Sequence, residues 1–93
     1  MNRNELCRKA AVTADVTITD AGRVIQAAER IIMDTLRNGE SVQLTGFGKF
    51  EARTRAAREW VIPPTEERIS VPEAKSPVFK AGKVFRDVLN DRR

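Results

Sequence analysis

The stretch that decides the fold is Val42-Gln43-Leu44-Thr45-Gly46-Phe47-Gly48-Lys49-Phe50-Glu51. Val42 and Leu44 alternate with polar neighbours, and Gly46-Phe47-Gly48 has the form of a tight turn between two strands. Beyond the turn, side chains alternate between the two faces of a second strand. One face takes Phe50, Ala52, Thr54 and Ala56, and the other takes Lys49, Glu51, Arg53 and Arg55. The pattern predicts an antiparallel pair with a positively charged face, although an ordinary solvated face would alternate in the same way.

Two helices are predicted before this strand pair. Asn2 with Glu5, and then Thr17 with Asp20, have the form of helix start signals. The first helix should begin near residue 3, end around residues 13–15 and bury Leu6, Ala10 and Ala11. The second should end at Gly39 and has a broad apolar stripe, formed by Ala21, Val24, Ile25, Ala28, Ile31, Ile32, Thr35 and Leu36. So broad a stripe, with little else to cover it, predicts burial against another chain.

The region after the strand pair is predicted to form a long hairpin arm. Residues 59–72 contain Pro63, Pro64 and Pro72, and prolines are excluded from the middle of a sheet. Residues 68–71 can form the return strand of the arm. A final strand should include residues 77–79, and a short helix should follow Gly82. In that helix we expect Lys83 and Arg86 on an exposed face, and an inward-packing set formed by Val84, Phe85, Val88 and Leu89.

The charge of the chain is segmented along the sequence. The 93 residues carry a net charge of +4, and the pI is about 9.8. Residues 1–40 balance six basic against six acidic residues, whereas 41–58 carry four basic and one acidic. Residues 59–76 carry two basic and four acidic residues, and 77–93 carry five basic and two acidic. Two basic blocks therefore flank an acidic, proline-bearing stretch, which suits an anionic partner such as nucleic acid or an acidic membrane surface.

Several classes of function lack the residues that they need. The chain has no histidine, the commonest general base and zinc ligand. It shows no nucleophile-and-base pair, metal-ligand cluster or phosphate-cradling glycine loop, so we expect no enzyme, cofactor, metal or small-molecule substrate. Cys7, the only cysteine, fits a small apolar helix position and a reducing cytosol. No signal-peptide or membrane-spanning stretch is apparent, so we expect a cytoplasmic protein that does not contact membranes.

The chain resembles the bacterial HU and integration host factor family of histone-like, DNA-bending proteins, and it is closer to HU. The resemblance runs essentially end to end. It rests first on residues 42–51, then on Arg53-Thr54-Arg55-Ala56-Ala57-Arg58, Pro63 and Pro77-Val78-Phe79-Lys80-Ala81-Gly82-Lys83. It implies an α+β fold with the order helix, helix, three strands with a long arm, and helix. Two chains would intertwine into a helical base, a β-saddle and two arms that embrace DNA.

The resemblance also implies the organisation of the chain and the roles of its residues. We expect one HU-like domain over 1–93, with a helical dimerisation half at 1–40, a β-saddle at 41–82 with its arm at about 57–74, and a final helix at 83–93. Pro63 would wedge between base pairs in the minor groove, which bends the DNA. The predicted DNA contacts are Arg3, Lys49, Arg53, Arg55, Arg58, Pro63, Lys80, Lys83 and Arg86. The predicted dimer core is Val24, Ala28, Ile31, Ile32, Leu44, Phe47, Phe50 and Phe79.

The arm departs from the family pattern. Glycine, arginine and asparagine commonly precede the wedge proline, but this chain has Trp60, Val61 and Ile62 there. Glu59 stands at a position that is often basic or small and polar in relatives, and Glu66 replaces the glycine usual three residues after the proline. The electrostatic grip of the arm should therefore weaken. One hypothesis is non-specific bending of double-stranded DNA, including nicked or gapped DNA, in the nucleoid. The alternative is an arm that contacts protein through Trp60 and Ile62, in a heterodimer or as a modulator of other family chains. A homodimer is favoured over a heterodimer.

Overall fold

A computed structural model describes residues 1–91, apart from the side chains of Trp60 and Ile62. The described residues form helices α1 (Arg3–Ala14), α2 (Ile18–Arg37) and α3 (Lys83–Leu89) and strands β1 (Val42–Leu44), β2 (Gly48–Arg55), β3 (Arg58–Ile62), β4 (Glu67–Val71) and β5 (Ala74–Ala81). The predicted α+β class and element order are confirmed. The chain divides into two compact units, Met1–Asp34 and the chain from Thr35 onward.

The first unit begins at the two predicted helix starts. Asn2 Oδ1 accepts a hydrogen bond from the backbone N–H of Glu5 at 2.9 Å, and Thr17 Oγ1 accepts one from the N–H of Asp20 at 3.1 Å. Each bond satisfies a donor that the first turn of a helix would otherwise leave unpaired. Asp15, with φ 56°, ends α1 in a left-handed cap.

Small side chains line the buried side of this unit. Cys7, Ala11 and Ala21 are buried, whereas Leu6 is 47% exposed. The prediction that Leu6 belongs to the buried stripe is therefore wrong for the single chain. A Cβ on Gly22 would lie 3.8 Å from Cys7 Sγ, so the two helices approach each other through small groups at this point. The interpretation of Cys7 as a packing residue agrees with this position.

Helix α2 keeps part of its apolar stripe in contact with solvent. Val24 is 67% exposed and Ile31 is 63% exposed, although Leu36 is buried. Gly39 follows the helix with φ +86°, the left-handed conformation that glycine adopts without a Cβ clash. The predicted end of α2 is confirmed, and its exposed apolar residues are available to a second chain.

The second unit is built on an antiparallel sheet of order β1-β2-β5, which we call the saddle sheet. Strand β1 joins β2 through the predicted turn, in which Gly46 has φ +86° and Phe47 N–H donates to the Leu44 carbonyl at 2.9 Å. Strand β2 pairs with β5 along its whole length. Pro77 lies in β5, which is an edge strand of this sheet. Proline lacks a backbone N–H, and at an edge this does not interrupt the hydrogen bonding in the middle of the sheet.

Four phenylalanines pack together within this unit. Phe50 and Phe79 are cross-strand partners, and their ring centroids lie 4.9 Å apart. Phe47 lies 5.3 Å from Phe79, and Phe85 of α3 lies 5.2 Å from Phe47. Tilted rings at these separations are a favourable aromatic arrangement. The cluster fixes α3 against the saddle sheet through Phe85.

Helix α3 packs less completely than predicted. Val84, Val88 and Leu89 are 58%, 60% and 73% exposed, so the prediction that they pack inward is wrong for the single chain. The physical reason is that this seven-residue helix presents only Phe85 to the aromatic cluster. The other apolar side chains of α3 remain open to a partner.

Strands β3 and β4 form a separate antiparallel hairpin, which we call the arm. Its register pairs Glu59 with Ser70 and Val61 with Arg68. Residues 63–66 form the turn at its tip, and Glu66 there has φ +58°. Glutamate is strained in this conformation, which explains in physical terms why glycine suits the position. The predicted return strand is confirmed and begins one residue earlier, at Glu67.

Candidate nucleic-acid interface

The saddle sheet has one charged face and one aromatic face. Side chains of residues directly paired across antiparallel strands share a face. Lys49 therefore shares a face with Lys80, its cross-strand partner, and Arg53 and Arg55 follow on the same side of β2. Phe50 and Phe79 lie on the opposite side with the rest of the aromatic cluster. The alternation predicted from residues 49–55 thus produces a continuous basic surface on two strands.

Glu51 lies within this basic surface. Its Oε1 is 3.0 Å from Lys80 Nζ and 3.6 Å from Arg53 Nε, and its Oε2 is 3.7 Å from Lys49 Nζ. The hydrogen bond from Lys80 and the nearby positive charges hold the pKa of Glu51 below its ordinary value. Since Lys49 and Lys80 face each other across the strands, the carboxylate also relieves a repulsion between like charges.

The arm contributes a different kind of surface. Arg58 begins β3, and Pro63 stands at the tip of the hairpin. Val61 and Ile69 are 54% and 46% exposed. The predicted apolar patch at Trp60 and Ile62 involves side chains outside the described part of the structure.

One of the basic residues of the arm is engaged by an acid. Arg68 Nη1 lies 3.4 Å from Glu59 Oε2, and both side chains are largely exposed. An exposed pair of this kind contributes little to stability. It does reduce the positive charge that Arg68 can offer to DNA, as the acidic sequence of the arm predicts.

Two further predicted contacts lie on α3. Lys83 is the first residue of the helix and Arg86 is one turn later, and both are exposed. The backbone carbonyl of Arg86 accepts a hydrogen bond from Asn90 Nδ2 at 2.8 Å, which helps to close the helix end. Since Phe85 ties α3 to the saddle sheet, these cations belong to the same compact unit as the basic face.

Arg3 is held by a carboxylate in the helical unit. Its guanidinium donates two hydrogen bonds to Glu29, at 2.6 Å and 2.8 Å. This fork lowers the pKa of Glu29 and raises that of Arg3. A phosphate contact by Arg3 would therefore have to compete with Glu29.

Sequence reasoning did not foresee the roles of Glu51 and Glu29. Glu51 lies two residues from Lys49 and two from Arg53, so all three side chains share a face of the strand. The contacts of Glu51 with these two cations could therefore have been predicted from the sequence. Its contact with Lys80 depends on the register of β2 and β5. Glu29 lies 26 residues from Arg3, and nothing local in the sequence indicates that pair.

Two negative findings apply to residues 1–91. They contain no group of three or more His, Cys, Asp or Glu side chains that could hold a metal ion. None of the helices formed by these residues has the length and apolar character needed to cross a membrane.

Comparison with known families decides the assignment. The sequence profile of the family described as "Bacterial DNA-binding protein" matches residues 1–90. The chain belongs to this family. Its relatives include the DNA-binding protein HU of Staphylococcus aureus strain COL, 44% identical over 89 residues that cover 96% of this chain and 99% of the relative. The HU protein of Clostridium pasteurianum is 46% identical over 90 residues, with 97% and 99% covered.

Solved structures of the same family agree with the observed fold. The chain in a cocrystal structure of Anabaena HU with DNA is 42% identical and matches with a TM-score of 0.85, over 96% of this chain and 97% of that one. A Thermotoga maritima HU mutant is 27% identical and matches with a TM-score of 0.71, over 96% and 99%. The predicted membership in the HU family is thereby confirmed, together with the predicted fold of two helices, antiparallel strands with a β-arm and a final helix.

Proposed function

We propose that this chain is an HU-type, histone-like protein that binds double-stranded DNA through the minor groove, bends it and compacts it, largely without sequence specificity. The observation that carries the proposal is the basic face of the saddle sheet, in which cations from β2 and β5 converge on one surface. The sequence places this surface on a chain of a DNA-binding family, and a close structural relative was crystallised with DNA.

The chemistry of this surface suits phosphates. Lysine and arginine neutralise phosphates and release condensed counterions, so the affinity falls steeply as salt rises. Contacts of this type orient the duplex without reading its bases. The proposed contacts of the saddle sheet and its flanks are Lys49, Arg53, Arg55, Arg58, Lys80, Lys83 and Arg86. Arg3 joins them where DNA displaces it from Glu29.

The arm supplies a wedge. Pro63 stands at the exposed tip, and a rigid apolar group inserted between base pairs unstacks one step at an expense of a few kcal/mol. The resulting kink brings more of the duplex onto the protein. The protein should therefore prefer DNA that is already easy to deform, such as nicked or gapped DNA. This preference should depend little on the identity of the bases.

The functional unit is two identical chains. Exposed apolar side chains occur on both units of one chain, from Val24 and Ile31 of α2 to Val88 and Leu89 of α3. Exposure on this scale in so short a chain favours burial against a second copy. The proposed dimer core is Val24, Ala28, Ile31, Ile32, Leu44, Phe47, Phe50 and Phe79.

The proposed place of action is the nucleoid in the bacterial cytoplasm, and the proposed activity is binding rather than catalysis. The test is a salt series of gel shifts on intact, nicked and gapped duplexes of equal length. We expect binding to all three at about 50 mM salt, tighter on nicked and gapped DNA, and a loss on the order of 10³-fold or more by 200 mM. Failure to bind any of the three at 50 mM contradicts the proposal.

A further inference from the structure

The Glu51 carboxylate is shared by three cations that come from two strands. Lys49 and Arg53 approach it along β2, and Lys80 approaches it from β5, at 3.0 to 3.7 Å. Its side chain is 21% exposed, less than those of Lys49 at 42%, Lys80 at 54% and Arg53 at 58%. The acid therefore lies deeper than its partners, and the outer sides of all three cations remain open to solvent.

A carboxylate and a DNA backbone phosphate present the same chemistry to these cations. Each carries a single negative charge and two or more oxygen acceptors, and each pairs with lysine and arginine through charge-assisted hydrogen bonds. The three cations already converge on one anion in the free protein. A second anion that arrives from the solvent side would compete with Glu51 for the same three positive charges, although each cation has further N–H donors with which to reach it.

We propose that Glu51 marks a phosphate-binding position on the saddle sheet, at which a DNA phosphate takes over the cations that the carboxylate holds in the free protein. This inference rests on the proposed function, since it requires the basic face to meet DNA. Glu51 acts as a positioning residue. It keeps Lys49 and Lys80 together despite their repulsion, and its charge restrains both the affinity for DNA and the salt dependence of that affinity.

The expected effect of Glu51 on DNA binding follows from the net charge of Glu51 and its three cations. Three cations and one carboxylate present a net charge of +2 to the phosphate, whereas removal of the carboxylate leaves +3. Each additional neutralised phosphate steepens the slope of log K against log salt by about 0.9. Loss of the Glu51 charge should therefore change the salt slope. If Glu51 only supported the fold of the sheet, its substitution would leave the salt slope unchanged.

The experiment compares Glu51→Gln with the wild type in DNA-binding titrations from about 50 to 300 mM salt. We expect roughly five- to tenfold tighter binding at 50 mM, and a slope steeper by about 1 for each chain in contact with DNA. Glu51→Asp retains the charge and should restore a slope near that of the wild type. Glu40→Gln is the matched control, because Glu40 is exposed and makes no ion pair with the described residues.

The outcomes separate this inference from the proposed function. Absence of wild-type binding at 50 mM removes the proposed function itself. Normal wild-type binding with an unchanged slope in Glu51→Gln, or an equal change in Glu40→Gln, overturns only the phosphate position. A weaker but equally salt-dependent Glu51→Gln shows a purely structural role and also overturns it. Carboxyl NMR gives a second readout, since the lowered pKa of Glu51 should rise when DNA takes its cations.

Discussion

The saddle sheet and the arm are both antiparallel β-structures, yet they offer DNA opposite surfaces. The strands of the saddle sheet carry five basic residues and one acid, Glu51. The arm, over residues 58–71, carries two basic residues and three acids. The saddle sheet is backed by four packed phenylalanines, whereas the arm is a two-stranded hairpin with exposed Val61, Ile69 and Pro63.

This contrast indicates that the saddle sheet and the arm have different roles in DNA binding. Attraction to phosphates depends on charge, and the positive charge is concentrated on the saddle sheet. Distortion of the duplex depends on the shape of an apolar tip, which needs little charge. On the proposed function, an arm without the basic residue that the family usually has beside Pro63 would still bend DNA, provided that the saddle sheet supplies the affinity. The two regions should therefore respond differently to substitution.

The largest expected effect is loss of two saddle cations. Arg53→Ala combined with Arg55→Ala should weaken binding roughly 100-fold at about 100 mM salt and flatten the salt slope by about 2 for each chain. Both would be read from fluorescence anisotropy titrations. Arg8→Ala combined with Lys9→Ala removes the same charge from α1 and serves as the control. Equal losses from the two double variants would remove the special role of the saddle sheet.

A second effect tests how tightly the saddle sheet is packed. A Cβ on Gly48 would lie 2.5 Å from Phe79 Cζ and 2.6 Å from the Lys80 carbonyl oxygen. Gly48→Ala should therefore destabilise the fold by about 1–3 kcal/mol, seen as a fall in Tm at fixed protein concentration. Gly22→Ala is the control, since its Cβ meets only Cys7 Sγ at 3.8 Å, and it should be neutral or stabilising by up to about 1 kcal/mol. Similar Tm values for the two variants would contradict the close packing.

A smaller effect is expected at the tip of the arm. Glu66 has φ +58°, so Glu66→Gly should relieve strain of about 0.5–1 kcal/mol. Amide hydrogen exchange in β3 and β4 should slow by a factor of about 2–5, following from that free energy. Glu66→Gln changes only the charge and should leave exchange unaltered. Equal slowing in both variants would mean that charge, rather than backbone conformation, limits the arm.

The smallest effect concerns an ion pair outside both regions. The lowered pKa of Glu29 means that its bond to Arg3 contributes stability above the usual titration range of a glutamate, and that this contribution disappears as pH falls through the lowered pKa. Glu29→Gln should have a slightly lower Tm than the wild type at pH 7, and the two should converge in acid. A Tm difference that persists at low pH would show that packing, rather than charge, is responsible.

The sequence predicted the features that depend on neighbouring residues. The turn at Gly46–Gly48, the alternation from Lys49 to Arg55 and the two helix starts follow from local backbone and capping rules. The arm followed from its prolines. The contact of Lys80 with Glu51 could not be predicted, because it depends on a strand register set far along the chain.

Long-range pairs and shared cores were harder to predict. Arg3 and Glu29 meet only because two helices pack together through small residues. Val84, Val88 and Leu89 look like core residues in the sequence but are exposed in one chain. An apolar pattern shows that a side chain is to be buried, without showing which chain will cover it.

The separate roles of the saddle sheet in affinity and of the arm in bending are tested most directly by measuring DNA affinity and bending in the same sample. A duplex labelled at both ends for energy transfer would be titrated with wild type, Pro63→Ala and the Arg53→Ala, Arg55→Ala double variant. Ser70→Ala on the arm stem is the control for substitution alone. At saturation, Pro63→Ala should bind within roughly tenfold of the wild type but bend DNA less, and the arginine variant should bind far more weakly yet bend fully. Full bending by Pro63→Ala, or lost bending with retained affinity in the arginine variant, would contradict the account.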